Sequence, residues 1–421
     1  MHRASPLLRL TTRALLPACV ALLCLVARPL AVGAEPYVES LDGQLVLHVE
    51  GSPRAMGRQH GTLLRPRVRR VVRDLVHEDL GSSPRSLQRL LKGAAVMEQY
   101  LPRPFKEELR ALAEAADVDY MELVLAQLFG DVERGQYCTS YAVCGPATQT
   151  GECIVGRNMD YGYSDISRHA GCIIHFTPDD GYPFMTVSWA GIINGWTAMN
   201  IHGVVVANNT AYGARENSLD GLSTCFMIRK IAQYAKDVDQ GVAIIEQTPR
   251  AVGTNMIVAG GDPCKAAIVE YDHAEVAVRW ARKGYILAAN DYRELYQEWP
   301  TWAEDTEEED ASLPGSGLSG YSYGGSYYYG RYGSLERLIR SNYGRIDRLM
   351  NFAAEPGIYM SINLHCALLF PRDLAFRLAQ GRAPAAEGTF RTFRMDANGV
   401  YLLWEPLPPP GAHPSGSISQ P

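Results

Sequence analysis

The run Tyr137-Cys138-Thr139-Ser140-Tyr141-Ala142-Val143 places a thiol at the head of a strand-like segment. A second run, Gly156-Arg157-Asn158-Met159-Asp160-Tyr161, ends on an arginine, an asparagine and an aspartate. If Gln149 centres the turn between them, antiparallel pairing sets Asp160 opposite Cys138, with Cβ atoms about 4.5–5.5 Å apart. A thiol and a carboxylate in so small a space form an activated nucleophile, able to attack a carbonyl carbon. Arg157 would steady the carboxylate and lower the thiol pKa through its charge. Residues 157 and 160 face opposite ways in a regular strand, so bringing both inward demands a bulge or a strand end.

The elements that must position these groups change in character at Cys138. Before it, residues 35–50 read as a short extended segment. The helical periodicity of Arg54–Leu80 follows, then amphipathic stretches at Leu87–Tyr100, Phe105–Ala116 and, capped by Asp119, Met121–Leu128. After it, strands are predicted at 138–144, 153–161, 171–177, 183–190, 195–200 and 203–208, with Gly- and Asp-rich turns. Two helices (222–235 and 237–247) lead to four more strands at 255–259, 266–271, 276–280 and 285–289. A helix over 334–352 and strands at 361–370 and 389–403 complete the pattern. Strand groups separated by helix pairs predict an α+β protein with two sheets covered by helical layers. The acidic, then Gly/Ser/Tyr-rich stretch 304–333 reads as a mobile insertion, and 409–421 as a disordered tail.

The 421 residues suffice for a full core, and 47% hydrophobic and 20% charged content suit a globular chain. A net charge of -6 without a basic block excludes nucleic acid as a partner class. Residues 1–34 read as a secretory signal: Arg3, Arg9 and Arg13, an apolar run from Ala14 to Ala27, then small residues at Val32-Gly33-Ala34. The expectation is therefore an extracytoplasmic protein (periplasm, extracellular space or a lysosome-like lumen) with no membrane contact after signal removal. Loss of Cys19 and Cys24 with the leader leaves Cys138, Cys144, Cys153, Cys172, Cys225, Cys264 and Cys366. An odd number in an oxidising compartment leaves one thiol free or paired between chains, and the sequence does not assign the pairs. Neither a CxxC pair nor HExxH occurs, so neither a metal nor another cofactor is expected.

The Cys138–Ala142 and Gly156–Tyr161 blocks resemble the autoproteolytic acyltransferase/hydrolase family of N-terminal-nucleophile (Ntn) enzymes. That family is related to acyl-CoA:6-aminopenicillanic acid acyltransferase, bile salt hydrolases and penicillin V acylases. Further matching residues are Met199-Asn200 with Gly203, Asn208-Asn209, Asn255–Val258, Val269-Glu270, Ala289-Asn290, Ser334–Arg337 and Gly381. Met56–Gly61 is similar to the family's prosegment. The resemblance implies a four-layer αββα sandwich over 138–408, preceded by a mostly helical prosegment, 35–137. It implies self-cleavage between Tyr137 and Cys138, after which the Cys138 α-amine, with an ordinary pKa near 8, serves as base for its own thiol. The cut prosegment would remain as a partner chain. Asp160 and Arg157 would hold the site in register, Asn290 and Asn200 would donate to an oxyanion, and Arg337 would brace the site from a helix. The implied reaction is hydrolysis, or acyl transfer, of a small non-peptide amide such as an N-acylated amine or amino acid, through a thioester. Two other readings remain open on the residues alone. One is a secreted papain-like protease pairing Cys138 with His365; the other is an exported, non-catalytic binding protein with the same fold.

Overall fold

A β-hairpin is the structural centre of the computed structural model, and a bulge sets its register. The structure describes residues 35–296, 326–404 and 407, apart from 82 and 134. The expected leader, the part of the insertion before residue 326 and the 409–421 tail lie outside the described residues. Strand β3 (Tyr137–Gly145) pairs antiparallel with β4 (Gly151–Asp160), but the ladder slips between Val143 and Gly145. The extra residue lies on β4, where Glu152 and Cys153 together face Cys144, and the turn centres on Thr148 rather than Gln149, so the ladder ends one residue from the symmetric register assumed above. Tyr137, not Cys138, lies opposite Asp160, and Cys138 lies opposite Met159.

The hairpin belongs to a seven-stranded sheet with strand order β12-β3-β4-β13-β14-β15-β16. Its other members are β12 (Tyr285–Ala288), β13 (Asn363–Phe370), β14 (Ala375–Gln380), β15 (Arg391–Met395) and β16 (Val400–Leu403). The second sheet has nine strands. It contains β1 (Tyr37–Leu41), β2 (Gln44–Gly51), β5 (Gly171–Pro178), β6 (Phe184–Trp189) and β7 (Thr197–Asn200). It continues through β8 (Val205–Thr210), β9 (Thr254–Gly260), β10 (Lys265–Tyr271) and β11 (Val276–Trp280).

Three cores define the layers. Between the sheets, Ala142, Cys144 and Val155 pack with Ile173, Met185, Val187 and Ile257. The opposite face of β3 and β4, with Tyr141, Val143 and Ile154, packs on Leu335 and Ile339 of a helix, Ser326–Ser341. The outer face of the nine-stranded sheet lies under the remaining helices. These are α1 (Pro53–Leu63), α2 (Arg65–Val71), α3 (Pro84–Glu98), α4 (Arg103–Ala116), α5 (Tyr120–Val132), α6 (Ser164–Ala170), α7 (Thr224–Tyr234) and α8 (Val238–Gln247); the helix Ser326–Ser341 is α9. The order is therefore helix, sheet, sheet, helix. The alternation of β3 carries Cys138, Ser140, Ala142 and Cys144 on the face turned towards the second sheet.

Residues 35–137 are more than a helical appendage. Strand β2 pairs parallel with β5, and β1 forms the edge beyond it, so this segment supplies two strands of the nine. Helix α1 crosses α4 closely: a Cβ built on Gly57 would lie 2.0 Å from the Glu108 carbonyl oxygen. That approach accounts for Gly57 in the Met56–Gly61 run. Across the hairpin, a Cβ on Gly156 would fall 2.0 Å from the Tyr141 ring, so the glycine of the 156–161 block makes room for that aromatic side chain.

Two expectations need correction. The helix expected over 334–352 is α9, Ser326–Ser341, followed by a short 3-10 turn at Phe352–Ala354. It therefore takes in the last part of the presumed 304–333 insertion. Strand β14 was not anticipated, because Ala375-Phe376-Arg377-Leu378-Ala379-Gln380 carries helix-favouring residues and takes its conformation from pairing with β13 and β15.

Candidate active site

Cys138 is completely buried at the start of β3. Its backbone N–H donates to Asn290 Oδ1 at 3.0 Å. The same oxygen accepts from Arg331 Nη2 at 2.7 Å, and Arg331 Nη1 reaches Asp160 Oδ2 at 3.1 Å. Four groups therefore form a continuous line: Asp160 carboxyl, Arg331 guanidinium, Asn290 amide and Cys138 nitrogen. Asp160 Oδ1 is held by Asn363 Nδ2 at 2.8 Å and by the Met360 N–H at 3.4 Å. Asn363 lies opposite Asp160 on β13, where the ladder is irregular between Asn363 and His365. The irregularity required by the facing of residues 157 and 160 thus lies on the neighbouring strand, at the end of β4.

Around the thiol the charges oppose one another. Burial pushes the Cys138 thiol up, the Arg157 guanidinium pulls it down, the Asp160 carboxylate raises it, and the Asp160 backbone N–H lowers it. Arg157 is fully buried, donates to the Asn158 carbonyl, and keeps Nε and Nη2 without a hydrogen-bond acceptor among the described residues. A buried cation with unspent donors is an attractive field for a thiolate or an oxyanion. Burial also pushes the Asp160 carboxyl up to about 6, against the pull of Arg331 and Asn363.

The structure brings Cys138, Arg157, Asp160 and Asn290 together, and it places the other two candidates elsewhere. Asn200 closes the β7–β8 turn. Both its amide hydrogens are taken, by Ala232 O at 3.1 Å and Ala235 O at 2.6 Å, and its oxygen accepts from His202 and Val204 N–H, each at 3.0 Å. With every donor spent, it has none for an oxyanion. Arg337 bonds Ser334 Oγ at 3.1 Å on the exposed side of α9. The arginine on that helix which reaches the site is Arg331, six positions earlier. It is the only charged residue between Asp310 and Glu336, and that isolation in a Tyr/Gly stretch was its signal in the sequence. Asn290 also differs in use from the expectation: its carbonyl oxygen holds the Cys138 nitrogen, and Nδ2 donates to Thr210 O at 2.6 Å, which commits one of its two amide hydrogens.

His365 is not paired with Cys138. The two lie two strands apart in one row, with Met159 between them, about 10 Å at ordinary strand spacing. Its Nε2 lies 2.9 Å from Thr197 Oγ1, and burial with the Arg157 charge holds the ring neutral. This removes the papain-like arrangement.

Residues 147–309 match the model of the acyl-coenzyme A:6-aminopenicillanic acid acyl-transferase family. The match takes in Arg157, Asp160 and Asn290 and begins after Cys138. Among curated proteins, the chain is 26% identical over 354 residues to an uncharacterised protein of Archaeoglobus fulgidus, covering 74% of this chain and 57% of that one. It is 24% identical over 191 residues to the N-acylethanolamine-hydrolyzing acid amidase of Rattus norvegicus, covering 44% of this chain and 51% of the relative. The chain thus spans about half the length of the curated relatives it matches. Among solved structures it is similar to a Caenorhabditis elegans ortholog of that amidase, with a TM-score of 0.40, 13% identity, and coverage of 63% of this chain and 100% of the other.

Proposed function

We propose that this chain is a self-cleaving cysteine amidase of the acyltransferase family, which hydrolyses, or transfers the acyl group of, a small N-acylated amine. The observation that carries the reading is the line Asp160–Arg331–Asn290–Cys138 N, with the Cys138 sulfur in the field of Arg157. A hydrogen-bonded oxygen aimed at a backbone nitrogen in mid-chain does no acid–base work, because an amide nitrogen is not basic. The same oxygen at a free α-amine would accept one N–H and orient the lone pair towards the thiol.

Activation follows in two steps. The Cys138 sulfur attacks the Tyr137 carbonyl carbon, and the C–N bond breaks as a thioester forms and the nitrogen takes up the proton. Water then hydrolyses the thioester, releasing a Tyr137 carboxylate and a free Cys138 amine and thiol. In turnover that amine takes the thiol proton, the sulfur attacks the substrate acyl carbon, and the ammonium returns the proton to the leaving amine. Water, or an amine acceptor, resolves the acyl-enzyme. Arg157 and the uncommitted amide hydrogen of Asn290 supply positive charge for the tetrahedral oxyanion.

The segment 35–137 would stay bound after the cut. It shares one core with the rest of the chain, in which Leu75, Leu112 and Leu125 pack with Trp189 and Phe226. Burial of each such leucine stabilises by about 1.5–3 kcal/mol, so loss of one peptide bond does not release it. The amine-releasing relatives point to N-acylethanolamines as the first substrate class to try. The signal-like leader points to export, where acyl-coenzyme A is scarce and water is the acceptor. No helix among the described residues is long and apolar enough to cross a membrane. The test is incubation of purified protein with N-acylethanolamines of graded chain length, read as released ethanolamine. Release by the wild type and none by Cys138→Ala supports the reading; equal release, or none from any acylated amine, opposes it.

A further inference from the structure

At the far end of the same hairpin, three cysteines meet that the proposed chemistry does not use. Cys153 lies in the bulge of β4, and Cys144 on β3 faces that bulge. Cys264 comes from the β9–β10 turn of the other sheet and packs on the same inter-sheet core. All three side chains pack on the same inter-sheet core, and Cys264 is the neighbour that influences both Cys144 and Cys153. All three are free thiols. Cys144 and Cys153 are buried, while Cys264 is part-exposed. A surface cavity of about 400 Å³ opens onto two of them, lined by Cys144 and Cys264 together with Asp262, Lys265, Trp280 and Gly284.

We propose that these three thiols form an oxidisable site in which Cys264 makes a disulfide to the β3–β4 hairpin, through Cys144 first and through Cys153 by exchange, stapling one sheet to the other. Cys264 is the neighbour common to the other two, so it belongs to either bond. The oxidant class is a small disulfide entering the cavity. The Cys264 thiolate attacks one sulfur of that disulfide, forming a mixed disulfide and expelling one small thiolate, which takes the Cys264 proton. The Cys144 thiolate then attacks the Cys264 sulfur and expels the second small thiolate, which takes the Cys144 proton. Two protein thiols are oxidised and one small disulfide is reduced to two thiols. The neighbouring Cys264 and burial hold the Cys144 thiol above its ordinary value, and Cys264 is raised as well. The exchange therefore runs faster as pH rises, by about tenfold per unit, following the thiolate fraction. Cys138 lies six residues along β3, roughly 20 Å away, so the staple leaves the Asn290–Cys138 contact untouched.

The experiment is treatment of the full-length protein with cystamine at pH 8.5, denaturing alkylation, and peptide mapping without reductant. Digestion uses trypsin with a glutamate-specific protease, which separates Cys144 from Cys153 at Glu152. The expected result is the Cys264 peptide joined to the Cys144 or the Cys153 peptide, with a melting temperature about 5 °C higher than in the reduced protein. Cys264→Ser and the Cys144→Ser/Cys153→Ser double variant should lose both the joined peptide and the shift. Alkylated Cys264, or a Cys144–Cys153 bond with Cys264 free, would overturn the proposal, as would a joined peptide that leaves the melting temperature unchanged.

Discussion

At the scale of single residues, the account rests on which side chains reach Cys138. Arg331 is the discriminating case, because it touches both Asp160 and Asn290 while Arg337 touches neither. Arg331→Met would leave a buried carboxyl without its cation, a loss worth about 3–5 kcal/mol, and would free Asn290 to swing away from the Cys138 nitrogen. Misplacement of that order slows a reaction by roughly 100-fold. The expected outcome is self-cleavage, followed by gel densitometry, slowed at least about 100-fold in Arg331→Met and unchanged within about twofold in Arg337→Ala. Without Arg331 the Asp160 carboxyl would also rise above about 6, since that arginine is the largest influence holding it down. Cys138, Arg157 and Asp160 were legible in the sequence because they lie within one hairpin, where spacing is informative. The exact register was not, because neither the turn centre at Thr148 nor the bulge at Glu152–Cys153 has a residue signature. Arg331 lies 193 positions after Cys138 and is brought in only by the tertiary fold. Asn200 looked chemically able, but its capacity is spent on closing a turn.

At the scale of elements, two buried contacts join the 35–137 segment to the rest, and each gives a prediction. Glu108 on α4 and Arg229 on α7 pair at 2.9 Å with both side chains 1% exposed, and the guanidinium stacks at 4.0 Å over Phe176. Glu108→Gln leaves the arginine charge buried and unmatched, and should cost about 3–5 kcal/mol in urea unfolding. His60 on α1 accepts the Gly191 N–H through Nε2 at 2.8 Å, and burial holds its ring neutral, with the pKa lowered to about 3. The unfolded chain takes up this proton below about pH 6.5 and the folded protein does not. His60 therefore stabilises the fold fully above that pH, and the contribution is lost as pH falls towards 3. The slope is about 1.4 kcal/mol per pH unit. His60→Gln keeps an acceptor for Gly191 but does not titrate. Its unfolding free energy should fall less steeply between pH 6 and 4 than that of the wild type, by about that slope. The helices carrying these residues were readable from their apolar spacing. Strands β1 and β2 were read only as an extended segment, since nothing local reveals that β2 will pair with β5, more than 100 residues on.

At the scale of the whole molecule, the two-sheet architecture explains why a cut at residue 137 would activate the chain without dismantling it. The junction lies at the start of a central strand, between a helical layer that holds the 35–137 segment and a second sheet that encloses the thiol. After denaturant-free size exclusion, both pieces should elute as one species, and they should separate only in denaturant. The layered class followed from strand groups set between helix pairs. The split of the 16 strands among the described residues into sheets of nine and seven did not, because it depends on long-range pairings such as β4 with β13. The most direct test is amino-terminal sequencing with intact mass of the purified wild-type protein beside Cys138→Ala. The account predicts two wild-type chains, one beginning at Cys138, and a single uncut chain for the variant. A wild-type Tyr137–Cys138 bond that stays intact, or a variant cut at the same bond, would contradict it.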